Sequence, residues 1–258
     1  MRFKKFITEE EMDLIAKCDI IKSRCSQFLK EAGEYPIYHG QNKETFENET
    51  LNIRKTKDSY PWTVSIFNLY IEEKFKIKKI RNERAVFTTG FYGNAKTYGK
   101  IFLFFPEDGY QYIWSPIVRD FFTREQIIWN DLTEKVIQEM GEDEGKEIIK
   151  ILKDGLNDYE KYPTIKDMLL TDSNNFKTKS GKNAYYLIRK ILIEAFDDLD
   201  YNTKYLKSGI ESETEITFKT KKYFLITGDE IDKHFDLKPS TSYDSYKIRY
   251  NKLLELLK

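Results

Sequence analysis

Four things are scarce in this sequence, and each scarcity removes a class of function. Two cysteines and two histidines in 258 residues form no cluster with zinc-ligand spacing, since Cys18 and Cys25 are seven apart and His39 and His234 are distant, so no metal is expected. Cys18 and Cys25 lie in one helical pattern, about 10.5 Å apart along the axis at a rise of about 1.5 Å per residue. A disulfide needs Cα atoms within about 7 Å, so the two should be reduced thiols in or beside a core, in a cytosolic protein. A catalytic cysteine is the alternative. Net charge is also missing: 43 Lys and Arg balance 43 Asp and Glu. That argues against a nucleic-acid binder with a broad basic surface, although a local basic patch stays open. No apolar run approaches the length of a membrane span. The basic start Met1-Arg2-Phe3-Lys4-Lys5-Phe6 runs into Thr8-Glu9-Glu10-Glu11, where a secretory leader would need apolar residues. The expectation is a cytoplasmic protein with no membrane partner. Signature motifs are absent too. There is no serine-hydrolase elbow, no His-Glu-x-x-His and no kinase set. Gly90-Phe91-Tyr92-Gly93-Asn94 lacks the Gly-Lys-Ser/Thr ending of a phosphate-cradling loop.

What is present is enough apolar matter for a core. The hydrophobic fraction is 40% and the aromatic fraction 15%, with 18 Tyr and 18 Phe, so the chain can fold as one large domain or two small ones. Thr8 to Glu11 has the form of a capping box. Met12, Ile15, Ala16, Ile20 and Ile21 then recur at helical spacing, through Cys25, Phe28 and Leu29, to a stop near Gly33. A strand through Ile37 and Tyr38 follows, then a polar loop over 41–61 and an amphipathic helix over about 62–75. Residues 85–114 change to short β runs: Ala85 to Thr89, Ile101 to Phe105 and Tyr110 to Trp114. Residues 120–198 are mainly helical, with helices expected at 123–140, 145–156 and 184–196. Strands return at Glu215 to Phe218 and Tyr223 to Thr227, and an amphipathic helix closes the chain from Tyr243.

Three short segments stand out among these elements. They are Tyr38-His39-Gly40; Phe87-Thr88-Thr89-Gly90 with the following Ala95-Lys96-Thr97-Tyr98-Gly99; and Glu213-Thr214-Glu215 ahead of a β run. Their content and order resemble the ADP-ribosyltransferase family: a His or Arg on a first strand, a Ser/Thr-Thr-Ser/Gly turn, and a Glu-x-Glu before a strand. The resemblance implies an α+β fold with split mixed or antiparallel sheets around an NAD cleft, N-terminal helices, and a single domain over 1–258 carrying a helical insertion at about 120–200. That insertion makes the distance from the second motif to the third long for the family. NAD would be the substrate, with no metal, and a macromolecule, in the first instance a protein, the acceptor of ADP-ribose. Proteins of this appearance occur in bacteria and their phages, where they modify host proteins.

The chemistry assigns each residue a place. Breaking the bond between nicotinamide and ribose develops positive charge on the sugar, and a fixed carboxylate beside it stabilises the transition state. By resemblance Glu215 is that carboxylate and Glu213 the accessory acid that orients the acceptor. Were both on a strand, their spacing of two would put them on one face; Glu211 continues the alternation and leaves the register open. His39, with Gly40 beside it, would anchor a ribose diol, since imidazole both donates and accepts. Thr88 and Thr89 would support the ribose and Glu215. Tyr98 would stack on nicotinamide, with Tyr92 and Phe91 as alternatives. Arg84 and Arg54 are candidates for the pyrophosphate. Structural readings stand beside these: a solvated acidic strand edge for the glutamates, a satisfied strand-end histidine, and core packing for Tyr98. The rival function is a non-catalytic inhibitor of a host defence protein, binding through the aromatic strands Ile101 to Phe105 and Tyr110 to Trp114 and through the helical block.

Overall fold

A computed structural model describes residues 12–42, 45–49, 61–78, 80, 85–119, 121–146, 149–150, 186–187, 190–191, 193–238, 240 and 242–258. The chain divides into two compact units. The first is Met1–Asn52, Glu83–Ser115 and Thr203–Lys258; the second is Ile53–Asn82 and Pro116–Asn202. The first unit is α+β and holds all three motifs. Its elements are α1 (Leu14–Arg24), α2 (Ser26–Ala32), β1 (Tyr38–Gln41), β2 (Glu47–Glu49), β3 (Ala85–Thr89), α4 (Tyr92–Lys96), β4 (Lys100–Pro106), β5 (Gln111–Trp114), α6 (Leu206–Glu211), β6 (Glu215–Lys219), β7 (Lys222–Thr227), α7 (Gly228–Phe235) and α8 (Tyr243–Leu257). The second unit contains α3 (Pro61–Phe75) and α5 (Phe121–Met140). There Phe67 packs on Phe121, Tyr201 and Phe196 at ring separations of 4.6, 4.9 and 5.4 Å.

The described strands form one seven-stranded sheet in the order β2-β7-β4-β1-β3-β6-β5, antiparallel throughout. The apolar runs of β4 and β7 lie near its middle and are buried almost along their whole length, as strands covered on both faces are. The expectation of two separate small sheets is therefore corrected, though the reason for a split is visible. β1 pairs with β4 over four residues, Tyr38 to Gln41, but with β3 only through Tyr38 opposite Thr89. A four-strand ladder and a three-strand ladder meet at that one pair.

Local chemistry explains where elements begin and end. The helical pattern from Leu14 to Ala32 breaks at Cys25, whose φ of −124° and ψ of 29° lie outside the helix. Asp108, in the turn between β4 and β5, accepts from the Ser26 and Gln27 backbone N–H groups at 3.2 and 2.9 Å, while its own N–H donates to the Arg24 carbonyl at 2.7 Å. A remote carboxylate thus caps α2 and ends α1, which helical periodicity alone cannot show. β2 falls inside the segment expected to be loop. Its Glu47 accepts from Lys222 at 2.6 Å and Arg24 at 3.4 Å, fastening a short edge strand to β7 and α1. These cations, Lys222 first, hold the Glu47 carboxyl below its usual range. α7 carries a full capping box between Thr227 and Glu230. The thiols of Cys18 and Cys25 are free and buried, and burial pushes Cys18 up to about 12 and Cys25 higher still. Among the described residues no helix is long and apolar enough to cross a membrane.

α7 and α8 are joined by a buried ion pair. Arg249 Nε donates to Asp232 Oδ1 at 2.6 Å, a second bond links Nη2 to Oδ2, and both side chains are almost fully enclosed. Removing one partner of such a pair leaves the other charge buried, which costs about 3–5 kcal/mol. Asp232→Ala should therefore lower the stability of the first unit by that amount in denaturant unfolding. A loss below about 1 kcal/mol would mean that Arg249 finds solvent.

Candidate functional site

The sheet brings parts of the three motifs into one row. Tyr38 on β1 is opposite Thr89 on β3, and Thr89 is opposite Glu215 on β6. Within the β3–β6 ladder, Thr89 and Glu215 share a face with the next pair of that face, Phe87 and Thr217, while Thr88 and Ile216 occupy the other. Thr217 confirms the shared face: its hydroxyl donates to Glu215 Oε1 at 3.2 Å. On this face Glu215 is half-buried and Phe87 partly exposed, while Tyr38, Thr89 and Thr217 are buried.

The two threonines have different tasks. Thr88 is buried and its hydroxyl donates to the Ile216 carbonyl at 3.0 Å, which ties β3 to β6. The Thr89 hydroxyl accepts from the Phe91 N–H at 3.0 Å and donates to the Glu213 carbonyl at 3.3 Å. It thereby fixes the turn into α4 and the turn into β6 with a single group. Both motif glycines are sites of close approach. A Cβ on Gly40 would lie 2.0 Å from the Ala95 carbonyl oxygen of α4, and one on Gly90 would lie 1.9 Å from the Ile210 carbonyl oxygen of α6. Only glycine lets those helices sit on the strand ends.

Glu213 does not share the strand with Glu215. It is exposed in the turn before β6, with φ of 57°, and its N–H donates to the Ile210 carbonyl at 3.1 Å. The alternation argument for placing both glutamates on one face therefore does not apply to it.

His39 is placed differently from the expected neighbour of Glu215. On β1 it lies on the face opposite Tyr38, with its ring 6.2 Å from Phe104 and 5.8 Å from Tyr223. Contact between Phe104 and Phe218 at 5.2 Å continues that face onto the Thr88 and Ile216 side of β6. His39 Nδ1 nevertheless reaches across the split, 2.9 Å from the Phe87 carbonyl. A carbonyl oxygen only accepts, so Nδ1 carries the proton. The imidazole replaces ladder bonds that β1 and β3 do not make, and Phe87 links it to the strand of Thr89.

Of the aromatic candidates, Tyr98 is 62% exposed, which corrects the core-packing alternative, and its Cβ lies close to Gly40 at the end of α4. Tyr92 is core, with its ring 4.6 Å from Tyr246 and 6.3 Å from Tyr38. Phe91 is partly exposed and covers Gly93. Arg84 and Arg54 lie outside the described residues. The strands Ile101 to Phe105 and Tyr110 to Trp114, expected as a binding surface in the rival reading, are almost wholly buried and belong to the core. Their alternation of apolar residues on both faces reports burial in a sheet, not an interface. Among the described residues, no three His, Cys, Asp or Glu side chains converge as a metal would require. No family model, curated protein or solved structure matches the chain.

Burial lowers the His39 pKa from its ordinary 6.5, and hydrogen bonds to the Phe87 carbonyl and the Gln41 side chain only partly offset this. The unfolded chain therefore takes up the proton at higher pH than the folded one. The stability that His39 contributes as a neutral ring is complete above about pH 6.5 and is lost as pH falls from there through the folded value. Thermal midpoints of the parent should fall more steeply between neutral pH and pH 5 than those of His39→Gln. Parallel curves would contradict the desolvated imidazole.

Proposed function

We propose that this chain is an ADP-ribosyltransferase-like protein that takes NAD as substrate at the junction of β1, β3 and β6 and transfers ADP-ribose to a protein acceptor. The observation that supports this most is the Tyr38–Thr89–Glu215 row. Segments far apart in sequence, singled out for their resemblance to one family, occupy neighbouring strands at matched positions. Beside that row, Glu215 offers a half-buried carboxylate on β6 and Tyr98 an exposed ring next to Gly40. That composition suits a nucleotide with a cationic ring.

The reaction breaks the bond between the nicotinamide nitrogen and the ribose anomeric carbon. Nicotinamide leaves with the bonding electron pair as a neutral molecule, and the acceptor's nucleophile forms the new bond to the anomeric carbon and gives up its proton. Glu215 accepts a hydrogen bond from the ribose 2′-hydroxyl and stabilises the developing cation. Glu213, exposed in its turn, faces the approach of the acceptor. Thr89 holds both glutamate-bearing segments in place through its bond to the Glu213 carbonyl. Tyr98 packs on nicotinamide. His39 contributes to NAD binding by keeping β3 against β1.

Nicotinamide release from NAD by the full-length protein tests the reading. Glu215→Gln preserves size and removes the charge, and should lower kcat by about 10²–10³ with little change in KM. NAD at about 100 times its dissociation constant should add about 2.7 kcal/mol to stability and raise the melting temperature by several degrees. A parent protein with neither turnover nor a thermal shift at millimolar NAD contradicts the proposal.

A further inference from the structure

The Glu215 carboxylate is carried on a side chain with three rotatable bonds, at the first residue of β6 and directly after a turn. A group that must stabilise charge at one atom has to be held in one orientation, because displacement by about 1 Å costs on the order of a hundredfold in rate. The backbone fixes the Cα of Glu215 through its pairing with Thr89, but it does not fix the plane of the carboxylate.

We infer that Thr217 is the positioning residue for that carboxylate, an assignment that rests on the transferase reading above. Thr217 is two residues along the same face of β6 and is 2% exposed. Its backbone is held on both sides, opposite Phe87 of β3 and Ile113 of β5. Its hydroxyl donates to Glu215 Oε1 at 3.2 Å. Anchoring one carboxylate oxygen to a strand flanked on both sides sets the plane of the group and the direction of the other oxygen. Strand propensity and packing at a buried position would be served equally by valine; what threonine adds there is the hydroxyl. Thr88 gives the contrast within the same ladder: its hydroxyl ends on a backbone carbonyl and ties strand to strand, whereas that of Thr217 ends on an ionisable side chain. A buried hydroxyl spent on a half-buried carboxylate orients that carboxylate.

Thr217→Val removes the hydroxyl with little change of shape, and Thr217→Ser keeps it. Steady-state nicotinamide release should show kcat of Thr217→Val reduced about tenfold, the scale of one lost hydrogen bond to a charged group. KM for NAD and the melting temperature should stay near parental values, and Thr217→Ser should recover most of the rate. In a Glu215→Gln background, adding Thr217→Val should slow turnover no further, since the group it orients has lost its charge. Thr217→Ala serves as the second deletion if the valine variant does not fold. Parental kcat in the hydroxyl-free variants, a loss that follows the melting temperature, or an equal loss in the Glu215→Gln background would each overturn the assignment. Two failures are distinguishable. A parent that releases no nicotinamide overturns the transferase reading and this inference with it. A parent that turns over, is silenced by Glu215→Gln and is indifferent to Thr217→Val overturns this inference alone.

Discussion

β1 and β3 exchange one backbone pair, Tyr38 with Thr89, and that contact sets the segment of His39 and Gly40 beside the strands of Thr89 and Glu215. On one side of it lie β2, β7, β4 and β1, tied to α1 and α2 through Arg24, Glu47, Lys222 and Asp108. On the other lie β3, β6 and β5, with the carboxylate of Glu215. A sheet with so short a ladder at its centre needs other groups to hold it closed. The His39 imidazole on the Phe87 carbonyl is one, and the Phe104–Phe218 ring contact is another.

The helices that close over the strand ends explain why small residues occur where they do. α4 meets β1 at Gly40 and α6 meets the end of β3 at Gly90, each with a carbonyl oxygen where a Cβ would be. These contacts set the positions of Tyr98, at the end of α4, and of the turn holding Glu213, after α6. Thr89 completes the arrangement by bonding to both turns. Geometry at the site is thus set by backbone packing and by buried hydroxyls.

Much of the fold was legible in the sequence because its signals are local. The apolar runs 101–105 and 223–227 and the β texture of 85–89 and 215–218 identify strands, and each lies within or alongside an observed strand. The close of the N-terminal helical region at Gly33 was legible for the same reason. The break at Cys25 was not, because its cause, Asp108, is distant in sequence. The short edge strand β2 was hidden by its polar residues Glu47, Asn48 and Glu49, which pair through their backbone and not through a buried face. α6 and α7, of six and eight residues, are too short for periodicity to mark, although Thr227 and Glu230 carry a capping-box signal at the start of α7. At the site, the meeting of Thr89 with Glu215 follows from pairing in register, which no single segment specifies. The side of β1 on which His39 lies, and the left-handed turn at Glu213, depend on the register and on α6 in the same way.

The central claim is that three distant segments form one NAD site at the β1–β3 junction, and hydrogen–deuterium exchange of the full chain with and without millimolar NAD tests it most directly. The account predicts slowed exchange in peptides covering 38–41, 85–90 and 213–219 together, with residues 121–140 unchanged. Exchange that is unaltered in those three segments, or protection confined to another part of the chain, would contradict it.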